Sequence, residues 1–333
     1  MIEMKPFKKT AIVALSVAAL LGIGTIGSSM PAAAASKLDK RINETTAIEQ
    51  GYLYKPNLSV THDGITLTLV EVIYDGTTLA FLIKREGANL ERTLSPYYSM
   101  DDLKRNPNNE HIKKNVVPEK DQLKGYIKWG TKVLVDGQPI TQTTGSLSDP
   151  KDEFYYYAKG VKAPEKFELA ITAEVTKVSE PFEFKMPIEL KSKPLVVKPE
   201  ATKTSGKFSY TVKQLVLSPL STRLILDSQG PVPASAEQSG KFHASKVYYE
   251  LVDNKGKEIN QEMIEFFNKK PETKYHVDQF YFPIDDKVTS ITIKPYTYTV
   301  NSKDWSILGA KLKGSEGKRT YLKDLQVTIP INR

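Results

Sequence analysis

The stretch Ile65 to Arg85, ITLTLVEVIYDGTTLAFLIKR, consists of two apolar runs folded about an Asp75-Gly76 pair. Apolar residues at alternate positions mark a half-buried strand, because successive side chains point to opposite faces of a sheet. An Asp-Gly pair between two such runs supplies the positive φ that a tight hairpin turn requires. The stretch therefore predicts an antiparallel hairpin, Ile65 to Tyr74 followed by Thr78 to Lys84.

The hairpin recurs. A shift of 143 residues lays Ile65, Leu67, Leu69, Val72, Phe81, Leu82 and Ile83 over Phe208, Tyr210, Val212, Leu215, Leu224, Ile225 and Leu226, with Ser218-Pro219 in place of Asp75-Gly76. VLVDGQPI (Val133 to Ile140) is similar to ELVDNKGKEI (Glu250 to Ile259), and KMPIEL (Lys185 to Leu190) meets TIPINR (Thr328 to Arg333) at the first shift again. Three correspondences in one order predict two copies of one fold.

Further strand patterns lie at Tyr126 to Val135, Phe154 to Ala158, Phe167 to Val178, Phe182 to Leu190, Lys246 to Val252, Phe280 to Phe282, Ser290 to Val300 and Leu325 to Ile331. Only short helices are expected, the best being Gln261 to Lys270, which Pro271 ends. Short strands with turns between them, and no helices to cover a parallel sheet, predict an all-β chain: two tandem immunoglobulin-like antiparallel β-sandwiches after an N-terminal segment. The expected divisions are 1–35 for that segment, 45–190 for a first sandwich with a long inserted loop at 87–125, 191–207 for a proline- and lysine-rich linker, and 208–333 for a second sandwich.

In the N-terminal segment Lys5, Lys8 and Lys9 precede an uncharged run from Thr10 to Ala35. A charged start, an apolar middle and an AAAA end with Ala33 and Ala35 at the peptidase positions form a secretory signal, with cleavage after Ala35. The other reading is a retained anchor, since Ala11 to Met30 is long enough to cross a bilayer. Both place the bulk of the chain outside the cytoplasm, and both leave too few residues before the apolar run for a cytoplasmic domain. The 333-residue chain has no cysteine, so disulfides, a lipidated cysteine and thiol chemistry are excluded. Its net charge of +8 falls to +6 once the three lysines and one glutamate of residues 1–35 are removed. A basic exported protein is drawn to anionic envelope polymers by a field that salt screens.

The stretch THDGITLTLVEVIYDGTTLAFLIKREG, Thr61 to Gly87, resembles the start of a domain of unknown function from the extracytoplasmic part of anti-sigma-factor-like membrane proteins of Gram-positive bacteria. The half from Phe208 onward is similar to the immunoglobulin-like domain that often accompanies it. The resemblance implies an envelope-facing sensory or interaction role without known catalysis. Fuller members carry a cytoplasmic sigma-binding segment before their membrane helix, and with so few residues ahead of Thr10 direct sigma sequestration is not expected here.

Catalytic signatures are weak. The four histidines, His62, His111, His243 and His276, have no metal-ligand spacing. Ser148-Asp149-Pro150-Lys151 fits Ser-x-x-Lys, but its proline favours a turn over the helix that would bring serine and lysine together. Met100 to Glu110 is rich in oxygen donors yet lacks the spacing of a calcium loop. Tyrosine pairs at Tyr97-Tyr98, Tyr155 to Tyr157, Tyr248-Tyr249 and Tyr275 to Phe282 fit either a pleated core or a binding surface.

These observations predict an exported, non-enzymatic protein that binds an anionic cell-wall polymer or an envelope protein, with no cofactor, no metal and no nucleic acid. The candidate binding residues are Tyr97, Tyr98, Lys104, Arg105, Lys113 and Lys114 in the long loop, where the two copies differ most. The alternative is a membrane-anchored extracytoplasmic sensor, in contact with the membrane through an uncleaved N-terminus.

Overall fold

The hairpin Ile65 to Arg85 forms as expected and sits at the centre of one sheet. The computed structural model describes residues 44–333, except 92, 97, 99, 129, 141–143, 149–151, 263–269 and 311–316. In its first half the strands are β1 (Leu53–Tyr54), β2 (Leu58–His62), β3 (Ile65–Tyr74), β4 (Thr78–Gly87), β5 (Lys132–Val135), β6 (Gln138–Pro139), β7 (Thr144–Ser148), β8 (Glu153–Lys159), β9 (Lys166–Ala173) and β10 (Phe182–Glu189). In its second half they are β11 (Leu195–Val197), β12 (Ala201–Ser205), β13 (Phe208–Leu217), β14 (Thr222–Gln229), β15 (Phe242–Ala244), β16 (Tyr248–Asp253), β17 (Glu258–Ile259), β18 (Lys274–Tyr281), β19 (Ser290–Asn301), β20 (Arg319–Tyr321) and β21 (Val327–Pro330).

Each half pairs two antiparallel sheets around its own core. The first has β1-β3-β4-β8-β7, with β2 also on β3, facing β10-β9-β5-β6. The second has β11-β13-β14-β18, with β12 also on β13, facing β15-β19-β16-β17, with β20 and β21 also on β19. The order of equivalent strands is the same in both halves, and so is an irregularity: the register slips between Leu69 and Glu71 in one and between Val212 and Gln214 in the other. This β-bulge reverses the facing of the residues on its C-terminal side. Leu67 and Leu69 face the core before it and Val72 and Tyr74 after it, so Ile73 turns to the opposite side of the sheet.

The expected linker is a structured part of the second sandwich. Leu195–Val197 and Ala201–Ser205 both pair with β13, and Thr202 and Thr211 share a hydroxyl contact across the strands at 2.8 Å. The prolines stand outside the paired positions, at 194 and 199, where no ladder donor is needed. The expected helix Gln261 to Lys270 falls mostly on residues outside the described set.

The Asp75-Gly76 turn is where the halves meet. Asp75 is completely buried. Its Oδ1 accepts from Thr77 N (2.9 Å), Thr77 Oγ1 (2.9 Å) and Thr78 N (2.7 Å), and its Oδ2 accepts from Ser218 Oγ at 2.5 Å. Ser218, the residue at the equivalent position of the second copy, organises its own turn in the same way, its Oγ accepting from Ser221 N at 3.0 Å. Gly76 has φ +88, and a Cβ there would stand 2.8 Å from Pro194 Cδ, so glycine serves both the turn and the close approach. Beside the turns, Leu220 joins Ala47, Tyr52, Leu53 and Ile73 in an apolar cluster. Lys159 adds an ion pair with Glu262 and lies 5.3 Å from the Phe280 ring centroid.

The burial of these groups has measurable consequences. Asp75→Ala strands at least two backbone N–H donors and the Ser218 hydroxyl in a dry site, so it lowers unfolding stability by about 3 kcal/mol, and Ser218→Ala by about 1 kcal/mol, in denaturant titrations at unchanged slope. Burial, with the neighbouring Asp75 charge, pushes the Tyr74 hydroxyl up to about 12. Burial also raises Tyr210, Tyr249, Tyr281 and Tyr296. The unfolded chain releases these protons at about pH 10 while the folded chain holds them. Stability is therefore full below that pH and declines as the pH climbs towards 12. A tyrosinate absorbance titration run beside circular dichroism will show late ionisation coincident with unfolding.

Candidate functional site

The 87–125 connection is an arm with a fixed base. The residue that fixes it is Arg85, whose side chain is fully buried near the end of β4. Its Nη1 donates to the Gly125 carbonyl (2.5 Å), and its Nη2 donates to the Glu91 carbonyl (2.5 Å) and to Asp152, which also accepts from Nε at 3.1 Å. One guanidinium thereby ties the outgoing and returning ends of the arm to the strand and to the Asp152 turn. Its planar fork of donors makes this geometry possible where a lysine would reach one acceptor set only.

Other contacts reinforce the base. Ile127 N donates to the Leu94 carbonyl (2.7 Å), Tyr126 N to Thr176 Oγ1 (2.9 Å), and Thr176 Oγ1 to the Leu123 carbonyl (2.5 Å). Gly125 has φ +99, and a Cβ there would meet Leu90 Cδ2 at 2.6 Å. Substitution at that glycine would press on the two ends where they cross.

Beyond the base, the arm carries two one-and-a-half-turn helices, α1 (Met100–Arg105) and α2 (Glu110–Asn115). Asn109 caps the second, its Oδ1 accepting from His111 N (3.0 Å) and Ile112 N (3.2 Å). Ile112 is the buried residue of that helix, and Gln122 Nε2 donates to the Val117 carbonyl at 3.1 Å. Short helices lack internal stability, and the Asn109 cap and the buried Ile112 hold the second in place.

The predicted binding residues fall on this arm. Lys104 and Arg105 close the first helix, Lys113 and Lys114 the second, and all four are exposed. Lys113 pairs with Glu110 at 2.8 Å within its helix. Tyr98 is half-buried, its ring edge-on to His111 with centroids 5.6 Å apart, and it bridges to Val116. Tyr97 lies outside the described residues, as does most of the Ser148 to Lys151 motif. Among the described residues no three His, Cys, Asp or Glu side chains converge.

The other tyrosine pairs are largely core. Tyr156 stacks on Phe81 at 4.4 Å, and Tyr281 donates to the Tyr249 carbonyl at 2.6 Å. Tyr248 and Tyr249 are both buried although they face opposite sides of β16, because Tyr248 enters a second cluster with Tyr296, Tyr298 and Val300 on the outer face. Sequence reasoning missed Arg85 as the anchor. A charged residue closing an otherwise apolar strand is its only signal, and its partners lie 6, 40 and 67 residues away.

Residues 195–331 match a family of unknown function, DUF5643. Residues 3–86 match a domain of unknown function, DUF4179, whose model thus spans the apolar N-terminus and the whole opening hairpin. No curated protein matches the chain. Among solved structures, the crystal structure of a conserved domain protein from Bacillus anthracis is 12% identical over 85% of this chain and 91% of that one, with a TM-score of 0.46. The titin domains z1z2 in complex with telethonin are 10% identical over 73% of this chain and 96% of theirs, with a TM-score of 0.22.

Arg85→Met removes the clamp and leaves the Gly125 and Glu91 carbonyls and the Asp152 carboxylate without it, at a cost of about 3 kcal/mol. Limited trypsin digestion mapped by mass spectrometry will then cut first between Arg92 and Lys124. First cuts elsewhere at unchanged rate in the arm would refute the clamp.

Proposed function

We propose that this protein works outside the cytoplasm as a non-enzymatic interaction protein of the cell envelope, and that the 87–125 arm contacts an anionic wall polymer or an acidic envelope protein. The observation that carries this reading is the combination of a buried, multiply bonded base at Arg85 with four exposed cations further along, Lys104, Arg105, Lys113 and Lys114. A connection whose only task was to join two strands would need neither the clamp nor the capped helix. Long surface connections on a rigid scaffold are where binding residues concentrate.

A second reading, the membrane-anchored sensor, has a specific support of its own. The domain match runs from residue 3 through the apolar segment into β4 without a break at Ala35. A segment discarded after export is not ordinarily part of a domain, so the match favours an N-terminus that stays attached.

Two measurements test these readings. Replacing Lys104, Arg105, Lys113 and Lys114 together by Glu lowers retention on purified wall polymer at low salt by at least about tenfold, and wild-type retention falls as ionic strength rises; retention indifferent to both changes refutes the arm as an electrostatic contact. N-terminal sequencing of the mature protein separates the two readings, since a start at Ser36 ends the anchored sensor and an intact N-terminus ends the secreted form.

A further inference from the structure

The second sandwich carries a pocket of about 210 Å³. β19 runs for 12 residues where the equivalent β9 has 8, and it pairs through Tyr296 to Tyr298 with an added strand, β20. Arg319 of that strand reaches the pocket beside Glu250, Glu258, Asn260, Gln261 and Tyr296.

The walls are fixed. Arg319 Nη1 donates to Glu250 Oε2 at 2.6 Å and to Glu258 Oε1 at 3.2 Å, and the guanidinium carbon lies 4.9 Å from the Tyr296 ring centroid. Tyr321 donates its hydroxyl to Glu250 Oε2 at 2.5 Å, and Lys294 Nζ stands 3.6 Å from Glu250 Oε1. The two amide residues belong to a segment stitched to β18: Gln261 bridges to Tyr281, and Phe282 N donates to the Asn260 carbonyl at 2.9 Å.

The chemistry of the walls selects a ligand class. Two carboxylates against one guanidinium leave no surplus positive charge for a phosphate or carboxylate. Glu250, Glu258, Asn260, Gln261 and Arg319 are planar polar side chains with donors and acceptors of the kind that adjacent hydroxyls engage, and Tyr249, Ile259, Tyr281 and Tyr296 complete the lining with the aromatic and apolar surface that the C–H faces of a sugar pack against. Tyr321, adjacent to Tyr296 with ring centroids 5.7 Å apart, is 38% exposed and offers a ring face for the C–H side of a sugar. The volume admits about one pyranose ring.

We propose that this pocket binds one uncharged sugar unit of a glycan. The site is separate from the 87–125 arm, and it stands or falls without it. Titration of the full chain with three neutral trisaccharides, built of N-acetylglucosamine, of α-1,4-linked glucose and of β-1,4-linked glucose, monitored by NMR, tests it. At least one is expected to bind saturably with Kd on the order of 1 mM. Asn260→Ala and Gln261→Ala, which leave in place the backbone ties of that segment to β18, should each weaken that binding by at least about fivefold while keeping the unfolding midpoint of the unaltered chain. Tyr321→Ala should weaken it as well, and glucose 6-phosphate should bind more weakly than the neutral sugars. Absence of saturable binding by all three sugars, undiminished binding by both amide variants, or preference for the phosphate would overturn the assignment.

Discussion

A buried carboxylate ties the two halves of this molecule together. Asp75 gives one oxygen to its own turn and the other to Ser218, the residue at the same place in the second copy. A carboxylate completely removed from water is costly unless its lone pairs are occupied. Three donors on one oxygen and a hydroxyl on the other meet that requirement only when the second sandwich is docked. The interface therefore does more than juxtapose two domains: the first turn is complete only in the presence of the second.

The same hairpin performs a second task at its open end. Asp75 sits at the turn and Arg85 near the far end of the returning strand, and each buried charge organises something outside the hairpin. Arg85 gathers the ends of the 87–125 arm, while the bulge between Leu69 and Glu71 turns Ile73 outward into the cluster at the joint. The second copy keeps the bulge and the turn but has Ser228 where the first has Arg85, and its elaboration lies elsewhere, in the lengthened β19 and the added β20. Shared features carry the fold; the 87–125 arm and Arg319 of β20 are what each copy adds to it.

Much of this was legible in the sequence. Alternation, an Asp-Gly turn and a returned spacing of 143 residues are local or pairwise signals, and they led to an all-β chain of two similar halves. The bulge was not read, although the sequence holds a sign of it: across LVEVIY in the first copy and VKQLVL in the second, Leu69 and Val72, like Val212 and Leu215, are three residues apart instead of two. The features that could not be read were long-range. The segment 191–207 looked like a linker because its prolines and lysines are surface residues, yet edge strands tolerate those residues and two of them form there. Tyr248 and Tyr249 both proved buried because a second cluster covers the outer face of β19, which no strand period announces. The role of Asp75 was hidden for the same reason, because its partner lies 143 residues away and is a serine rather than a second charge.

The joint at Asp75 is tested most directly by whether the two sandwiches move as one body in solution. Backbone ¹⁵N relaxation measured on both halves should give one rotational correlation time in the unaltered chain, and two shorter ones when Asp75→Ala is combined with Ser218→Ala. Independent tumbling of the halves in the unaltered chain would contradict a joint completed by the Asp75 carboxylate.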